Sequence, residues 1–333
     1  MSKLRVGVVG AGGIAGAHLP HLQKRSDAVE LVGVADVNAE AAGATAAKYG
    51  IERHMADFQE LIPLCDAVLV CVPTFLHSDI AVAALEANKH VFCEKPMART
   101  LEQADAMLKA AADSGMTLQI GFVRRFDDEW LTWREAVLAA KIGRPVVWRD
   151  VAAGAGPIHA PWFTTDELGG GPFLDGCIHN IDFALSTFGP VEWVFTHGRT
   201  LRESNTAVDT GTATIRFQSG DELLLAWSWG LPKNCSGGRI FEFLGPKGTL
   251  TWPHDEASGA EGPRFVINTG EAKESVTFPA NALTVGFERQ MDEFITVAQG
   301  HGKPRAGGEE GRASLQVALA ILESGRSYQV VRL

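Results

Sequence analysis

Apolar residues in the first third of the chain fall into short continuous runs separated by amphipathic segments. The runs predict β-strands over residues 4–9, 31–36, 65–72, 90–95 and 117–122. Helical patterns occupy the gaps, over residues 14–24, in the alanine-rich run that ends at Tyr49, and over 78–88 and 101–114. Continuous apolar strands that alternate with helices indicate a parallel sheet covered on both faces.

Two of these helices carry clear end signals. Thr100 and Gln103 stand at capping-box spacing at the start of 101–114, and Gly115 follows its end. Gly50 follows Tyr49, at the usual place for a left-handed cap.

The pattern changes at about residue 124. One helix is predicted over 128–140 and two more near 285–299 and 309–324. Strands are predicted over 145–151, 191–200, 213–217, 222–230, 239–245 and 249–252, and in the RFVIN and SVTF segments. The short connections 218–221 and 245–248 favour hairpins, hence a mostly antiparallel sheet. We therefore predict an α/β protein with a doubly wound parallel sheet in residues 1–123 and an α+β domain with a large open sheet in residues 124–333.

Composition supports a two-domain globular protein with a small-molecule ligand. The 333 residues are 46% hydrophobic and 21% charged, enough for two cores. The net charge of −10 comes without a basic stripe, which argues against a nucleic-acid partner or a polybasic membrane face.

The five cysteines are widely spaced and include no C-x-x-C pair. We therefore expect neither a disulfide framework nor a metal site, and a reduced cytoplasmic location fits. The apolar N-terminal run is rich in glycine, unlike a secretory signal, and we expect no membrane span.

The turn after the first strand is glycine-rich and reads Gly10-x-Gly12-x-x-Ala15, with Gly13 between. Glycines allow a pyrophosphate to approach backbone N–H groups at the start of a helix. Asp36 ends the second strand, 26 residues after Gly10, where a carboxylate can accept both ribose hydroxyls. Together these features predict a dinucleotide site.

Asp36 also bears on the choice of dinucleotide. Its carboxylate would repel a 2′-phosphate, and Val37-Asn38 offers no adjacent cation. NAD(H) is therefore favoured, and NADP(H) is not excluded.

A second candidate site lies in GGGPFLDGCIHNIDFALSTFG, residues 169–189. Asp175, His179 and Asp182 are spaced by four and three, which predicts one helical face. A carboxylate that orients an imidazole suits general acid–base catalysis. A capping aspartate with a buried core histidine is the alternative.

Five motifs, GAGGIA, CVPTFLH, EKPMA, GFVRRF and DGCIHNID, occur in this order, and with them the chain resembles the glucose–fructose oxidoreductase and inositol dehydrogenase (Gfo/Idh/MocA) family. The resemblance implies a Rossmann domain, followed by a domain whose open sheet commonly forms the interface of a homodimer or homotetramer. It also implies that Lys95 is catalytic and that Asp175 and His179 are the substrate-site acid and histidine. Cys177 departs from the family's usual glycine and puts that turn in doubt, although Gly176 is available to compensate.

The motifs then define candidate site residues. Because Pro96 keeps Lys95 extended, we expect its ammonium at the carboxyl edge of the sheet, with Glu94 pairing with it or fixing its direction. The cofactor-binding candidates are Gly10, Gly12, Gly13, Ile14, Asp36, Val37, Pro73, Thr74, His77 and Glu94. The substrate-binding candidates are Lys95, Arg124, Arg125, Trp162, Asn180 and Asp182. His77 fits a helix cap equally well, and Trp162 fits a role in domain packing equally well.

The expected reaction is reversible oxidation of a secondary alcohol of a sugar, cyclitol or sugar derivative. His179, oriented by Asp175, is the preferred proton acceptor and Lys95 the alternative. Two other functions compete with this one: a non-catalytic sensor of dinucleotide and sugar on the same fold, and a dihydrodiol- or bilin-type reductase.

Overall fold

The computed structural model describes residues 2–252 and 264–333. The chain forms two compact units, one of residues 1–126 with 284–313 and the other of residues 127–283 with 314–333. The chain passes from the first unit to the second after Phe126, close to the predicted domain boundary after residue 123. Segment 284–313, which the sequence assigned to the second domain, groups with the first unit. The role of residues 124–333 in substrate binding and oligomerisation stays a prediction.

The first unit contains a parallel sheet of six strands among the described residues, in the order β3-β2-β1-β4-β5-β6. The strands are β1 (Leu4–Val9), β2 (Val29–Ala35), β3 (His54–Met55), β4 (Ala67–Val70), β5 (His90–Cys93) and β6 (Leu118–Ile120). The chain leaves β1 toward β2 on one side and returns to β4 on the other. This reversal creates a crevice at the carboxyl ends of β1 and β4, where doubly wound folds bind ligands. The predicted doubly wound sheet is confirmed.

The helices follow the predicted pattern, apart from one short helix over Phe58–Leu61 that was not predicted. They are α1 (Gly13–Lys24), α2 (Ala39–Tyr49), α3 (Phe58–Leu61), α4 (His77–Glu86), α5 (Leu101–Ser114), α6 (Asp128–Leu138), α7 (Ile178–Phe188), α8 (Ala282–Ala298) and α9 (Gly308–Ser327). The cap predictions are confirmed: Thr100 Oγ1 accepts from the Gln103 N–H at 3.2 Å. Gly50 and Gly115 adopt left-handed φ values of 66° and 70°.

Helix α1 is fixed in the first unit by buried side chains and by ion pairs to α8. Leu19 and Leu22 of α1 are buried with Phe294 of α8 in one hydrophobic core. Lys24 pairs with Glu288 of α8 at 3.2 Å. Because α1 follows the glycine-rich turn directly, this packing fixes the position of that turn.

The second unit contains a mostly antiparallel sheet of nine described strands, in the order β14-β13-β12-β11-β7-β10-β9-β8-β15, in which only β7 and β10 pair in parallel. The strands are β7 (Val147–Ala153), β8 (Val191–Arg199), β9 (Thr210–Phe217), β10 (Glu222–Ser228), β11 (Ile240–Gly245), β12 (Gly248–Thr251), β13 (Arg264–Asn268), β14 (Lys273–Thr277) and β15 (Val331–Arg332). The connections 218–221 and 245–248 join antiparallel neighbours, so both predicted hairpins are confirmed.

The inner face of this sheet is covered by α6 and α7 through an aromatic cluster. Trp133 of α6 contacts Trp148 of β7, with ring centroids 4.9 Å apart, and Phe183 of α7 at 4.6 Å. Trp133 and Trp148 are fully buried. Burial of such large rings is the main force that holds the two helices on the sheet.

The outer face of the same strands is partly exposed and carries two ion pairs near its middle. Leu224 lies in its middle, paired with Arg149 on one side and Thr214 on the other. Arg149 forms an ion pair with Glu242, and Arg216 pairs with Glu222 at 2.6 Å. These four charges around Leu224 therefore compensate one another within the chain.

All five cysteines lie in the described residues and all are reduced, four of them buried and Cys235 exposed. No described helix is both long and apolar enough to cross a membrane. Within residues 2–252 and 264–333, no group of three or more His, Cys, Asp or Glu side chains could hold a metal ion.

Candidate active site

The three glycines of the turn after β1 have different roles. Gly10 adopts φ +99°, and a Cβ there would lie 2.5 Å from the Cys71 carbonyl oxygen, so this position requires glycine. A Cβ at Gly12 or Gly13 would meet nothing within 4 Å. These two positions leave open space beside the start of α1, which suits the approach of a pyrophosphate to the helix N-terminus.

A cavity of about 290 Å³ lies at the crevice between the ends of β1 and β4. Its walls are Val9, Gly10, Gly12, Ala35, Asp36, Val37, Ala56, Phe58, Cys71, Val72, Pro73, Leu76, Asp79 and Ile80. Gly10, Gly12, Asp36, Val37 and Pro73 were all predicted to bind the cofactor, and the structure brings them together. Gly13, Ile14, Thr74, His77 and Glu94 are not among the residues that line it.

The Asp36 carboxylate is held in place by backbone N–H groups. Its Oδ2 accepts from Ala11 at 2.7 Å and its Oδ1 from Asn38 at 2.8 Å. The first bond joins the end of β2 to the glycine-rich turn. A half-buried carboxylate in a largely apolar cavity, beside an open helix start, fits an adenosine ribose and a pyrophosphate. The residues present therefore fit a dinucleotide.

Asp79, which was not among the predicted site residues, lines the same cavity from the first turn of α4. An acid in a first helical turn is usually explained by the helix dipole, so no sequence pattern marks Asp79 as a ligand-binding residue.

His77 supports the backbone of the first unit. Its side chain is buried, its Nδ1 lies 2.7 Å from the Pro96 carbonyl oxygen and its Nε2 lies 2.9 Å from that of Val72. The imidazole thus links the turn after β4 to the Lys95-Pro96 turn, whose peptide bond is cis. Both of these contacts are with backbone carbonyl oxygens, and the ligand contact predicted for His77 stays a prediction.

Glu94 and Lys95 follow β5, and Glu94 is buried among specific partners. Its Oε1 lies 2.7 Å from Nε2 of His18, and its Oε2 accepts from the Lys95 backbone N–H at 3.1 Å. Burial alone would raise the pKa of Glu94, but the hydrogen bond and charge of His18, together with the Lys95 ammonium, hold it below its usual value. Glu94 is therefore a fixed buried carboxylate beside the half-buried Lys95.

Arg124 and Arg125 lie in a 3-10 turn, Val123–Phe126, at the end of β6. Arg125 donates to the backbone carbonyl of Arg305 within the first unit, and Arg124 is half-buried. Their predicted substrate contacts stay predictions.

In the second unit, Asp175 lies in a π-helical turn, Pro172–Gly176, that precedes α7. π-Turns inside or beside helices are frequent at functional sites. A Cβ at Gly176 would lie 2.7 Å from the Trp229 ring, so this glycine permits close packing of the turn on the indole. Cys177 has ordinary right-handed angles (φ −81°, ψ −5°) and is buried, which answers the doubt about this turn.

His179 is half-buried in the first turn of α7, next to a tightly held residue. The neighbouring Asn180 is buried and donates to Asp150 of β7 at 2.5 Å, and Trp227 donates to the same carboxylate at 3.0 Å. Asp150, which sequence reasoning missed, thereby anchors the start of α7 to the sheet. Its signal in the sequence is an acid at an inward position of the PVVWRDV strand.

Asp182 and Trp162 contact other protein groups in the second unit. Asp182 is buried and its Oδ1 accepts from the Ser314 hydroxyl at 3.4 Å. Trp162 stacks on Phe163, with ring centroids 3.8 Å apart and planes inclined by 24°. The substrate roles predicted for Asn180, Asp182 and Trp162 stay predictions. The hydrogen bonds of Asn180 to Asp150 and of Asp182 to Ser314 explain why these two polar side chains are buried.

Two family models match this chain. Residues 4–122 match the oxidoreductase family with an NAD-binding Rossmann fold, and residues 130–251 match the GFO/IDH/MocA C-terminal domain. The chain therefore belongs to the Gfo/Idh/MocA family of oxidoreductases, with an NAD-binding Rossmann domain. The family resemblance seen in the sequence is confirmed.

Similar proteins extend over nearly the full chain. Myo-inositol 2-dehydrogenase of Thermotoga maritima is 30% identical over 345 residues, with 99% of this chain and 98% of the relative covered. The 1,5-anhydro-D-fructose reductase of Ensifer adhaerens is 30% identical over 318 residues, covering 93% and 92%. The crystal structure of the WlbA dehydrogenase of Bordetella pertussis, in complex with NADH and UDP-GlcNAcA, is 27% identical with a TM-score of 0.83, covering 100% and 99%.

Removing the Asp36 charge should weaken the preference for NAD(H). In Asp36→Asn we expect the ratio of kcat/KM for NAD to that for NADP to fall by about tenfold or more, because a 2′-phosphate would no longer meet a carboxylate. Steady-state kinetics with both cofactors measures this ratio. Asp79→Asn is the matched control, since the same charge is removed from an exposed position in the same cavity, where solvent screens it. A wild-type protein that uses NADP at least as well as NAD would contradict the role given to Asp36.

Proposed function

We propose that this protein is an NAD-dependent dehydrogenase that transfers a hydride between a secondary alcohol of a cyclitol, a sugar or a sugar derivative and the nicotinamide. The observation that carries the proposal is the Glu94-Lys95 turn at the carboxyl end of β5. It has a buried carboxylate, an adjacent ammonium and, in the same unit, a cavity suited to a dinucleotide.

Bound NAD would supply the hydride acceptor, and the protein would supply position and proton transfer. In the proposed site, Gly12 and Gly13 hold the pyrophosphate and Asp36 the adenosine ribose. Lys95 hydrogen-bonds to the reacting oxygen and stabilises the negative charge that develops there. These roles agree with the open space at both glycines and the fixed orientation of Asp36.

His179 is the proposed general base for the hydroxyl proton, with Asp175 as its orienting acid. The anchoring of α7 through Asn180 and Asp150 supports this role, because a base must be held in a defined place. Lys95 remains the alternative acceptor of the proton.

The substrate class follows from the relatives. The names of two of them, a myo-inositol dehydrogenase and an anhydrofructose reductase, describe polyhydroxylated rings with a secondary alcohol or ketone. We therefore expect a polyol ring rather than an open-chain alcohol.

A substrate panel tests the function directly. We expect purified protein with NAD to produce the reduced-nicotinamide absorbance with at least one compound in a panel of inositols, aldoses, anhydrosugars and sugar acids. The same panel with NADP gives the cofactor preference. No turnover across the panel, together with tight NADH binding, would instead favour a dinucleotide sensor.

Substitution of the proposed catalytic residues separates chemistry from cofactor binding. Lys95→Met and His179→Ala should each lower kcat by about a hundredfold or more, because each removes a group that acts on the reacting oxygen. The dissociation constant for NADH, measured by fluorescence, should stay nearly unchanged. Arg5→Met is a suitable control, since Arg5 is a cation of the same unit that pairs with Asp66 at the surface. Wild-type turnover in either test variant would defeat its assignment.

We further propose that the protein is a homodimer or homotetramer that associates through the outer face of the sheet in the second unit. Support comes from the partly exposed, charge-compensated surface around Leu224. Sedimentation velocity should give two or four times the chain mass, and Leu224→Glu should lower it. Leu138→Glu, at an exposed leucine of α6, should leave the mass unchanged. A wild-type monomer at every concentration would rule out the proposal.

A further inference from the structure

A histidine on the helix that follows the glycine-rich turn is bonded to the carboxylate beside Lys95. His18 lies in α1 and is 0% exposed, and its Nε2 is 2.7 Å from Oε1 of Glu94, which is 5% exposed. The contact joins residues 76 positions apart in the chain. Phe92 and Phe287 pack edge-on against the imidazole, with centroids at 5.0 and 5.3 Å, and fix the plane of the ring.

The surroundings of His18 define which ring nitrogen carries the proton. Among the described residues, its Nδ1 is buried without a hydrogen-bond partner. A proton on Nδ1 would therefore be a buried unsatisfied donor, which costs about 1–3 kcal/mol. An ionised carboxylate can only accept hydrogen bonds, so Nε2 is the ring nitrogen that donates its proton to Oε1 of Glu94.

The other neighbours of the Glu94 carboxylate include the Lys95 ammonium and two neutral thiols. Burial, together with the Glu94 carboxylate, raises the pKa of the Cys71 and Cys93 thiols well above the usual value, so both stay neutral. The Lys95 N–H donates to the carboxylate, and the Lys95 ammonium stabilises its charge. On the last side, the Gly121 Cα approaches so closely that a Cβ there would lie 2.9 Å from Glu94 Oε1 and Oε2.

We propose that His18 is a positioning residue for the reaction: it holds the Glu94 carboxylate, which in turn holds the backbone and the ammonium of Lys95. Since the helix that carries His18 also presents its N-terminus to the cofactor cavity, one rigid element places both the dinucleotide site and the catalytic lysine. This inference rests on the proposed dehydrogenase function.

The main test compares two histidines of α1. His18→Leu should lower kcat by about tenfold to a hundredfold, because a small displacement of a catalytic group has effects of this size. The KM for NAD should change by less than about threefold, since the residues lining the cofactor cavity are untouched. His21→Leu is the control: His21 is also buried in α1, but its ring faces Glu288 of α8 at 3.8 Å. Its kcat should stay within about twofold of the wild type.

The pH profile separates positioning from general loss of structure. In the wild type the pKa of Glu94 is depressed, so its ionised form persists as the pH falls below the usual carboxyl range. Without His18 the burial of Glu94 is no longer offset by its main hydrogen bond, and its pKa rises. Activity of His18→Leu should therefore be lost at a higher pH on the acid side than in the wild type. His18→Gln, which can still donate an N–H, should restore most of the wild-type profile.

A second variant acts on Glu94 through a different contact. Gly121→Ala would force the carboxylate away from its present position. The acid limb of its pH–activity profile, where activity falls as the pH is lowered, should therefore also move to higher pH. This variant carries the test if His18→Leu fails to fold.

The inference is overturned if the acid limb of His18→Leu matches the wild type, or if His21→Leu loses as much kcat as His18→Leu. It is also overturned if Gly121→Ala has a wild-type profile. A wild-type protein without turnover on the polyol panel would instead reject the underlying function, so the two failures are distinguishable.

Discussion

Close approach of backbone at the carboxyl edge of the parallel sheet governs the whole cofactor-binding unit. At Gly10 the chain turns directly against the Cys71 carbonyl, and at Gly121 it runs against the Glu94 carboxylate. Neither position has room for a side chain. Strands β1, β4, β5 and β6 therefore end in a compact rim, and polar groups on that rim have fixed positions before any ligand arrives. Electrostatic stabilisation of a reaction depends on this kind of preorganisation.

Local features of this rim were predictable from sequence because they depend on residues close together in the chain. The glycine-rich turn, Asp36 at the end of β2 and the caps at Thr100, Gly50 and Gly115 all follow from short-range rules, and the structure agrees with each. Continuous apolar runs likewise identified five of the six parallel strands, whereas the two-residue β3 at the sheet edge was not predicted.

Features that depend on distant pairing were not predictable. Nothing in the α1 sequence distinguishes His18, which bonds to Glu94, from His21, which faces α8. In the sequence Asp150 is only a polar residue within a strand, and its role depends on its contact with α7. Segment 284–313 likewise has the pattern of a late helix of the second domain, but it belongs to the first unit.

The π-turn at Asp175 was not predicted either, because the spacing of apolar residues does not distinguish a π-turn from a regular α-helical turn. Packing on Trp229 explains why glycine is needed at 176, whereas Cys177 has ordinary right-handed backbone angles that do not require glycine.

The distribution of buried and exposed thiols has a practical consequence for site-specific labelling of the protein. Four of the cysteines are enclosed in the structure, and Cys235 alone is accessible, in a loop after β10. A maleimide dye or spin label applied to the unaltered folded chain would consequently attach at one known position. Distance measurements from that label to a fluorescent dinucleotide could follow the arrangement of the two units in solution, without a cysteine-free background.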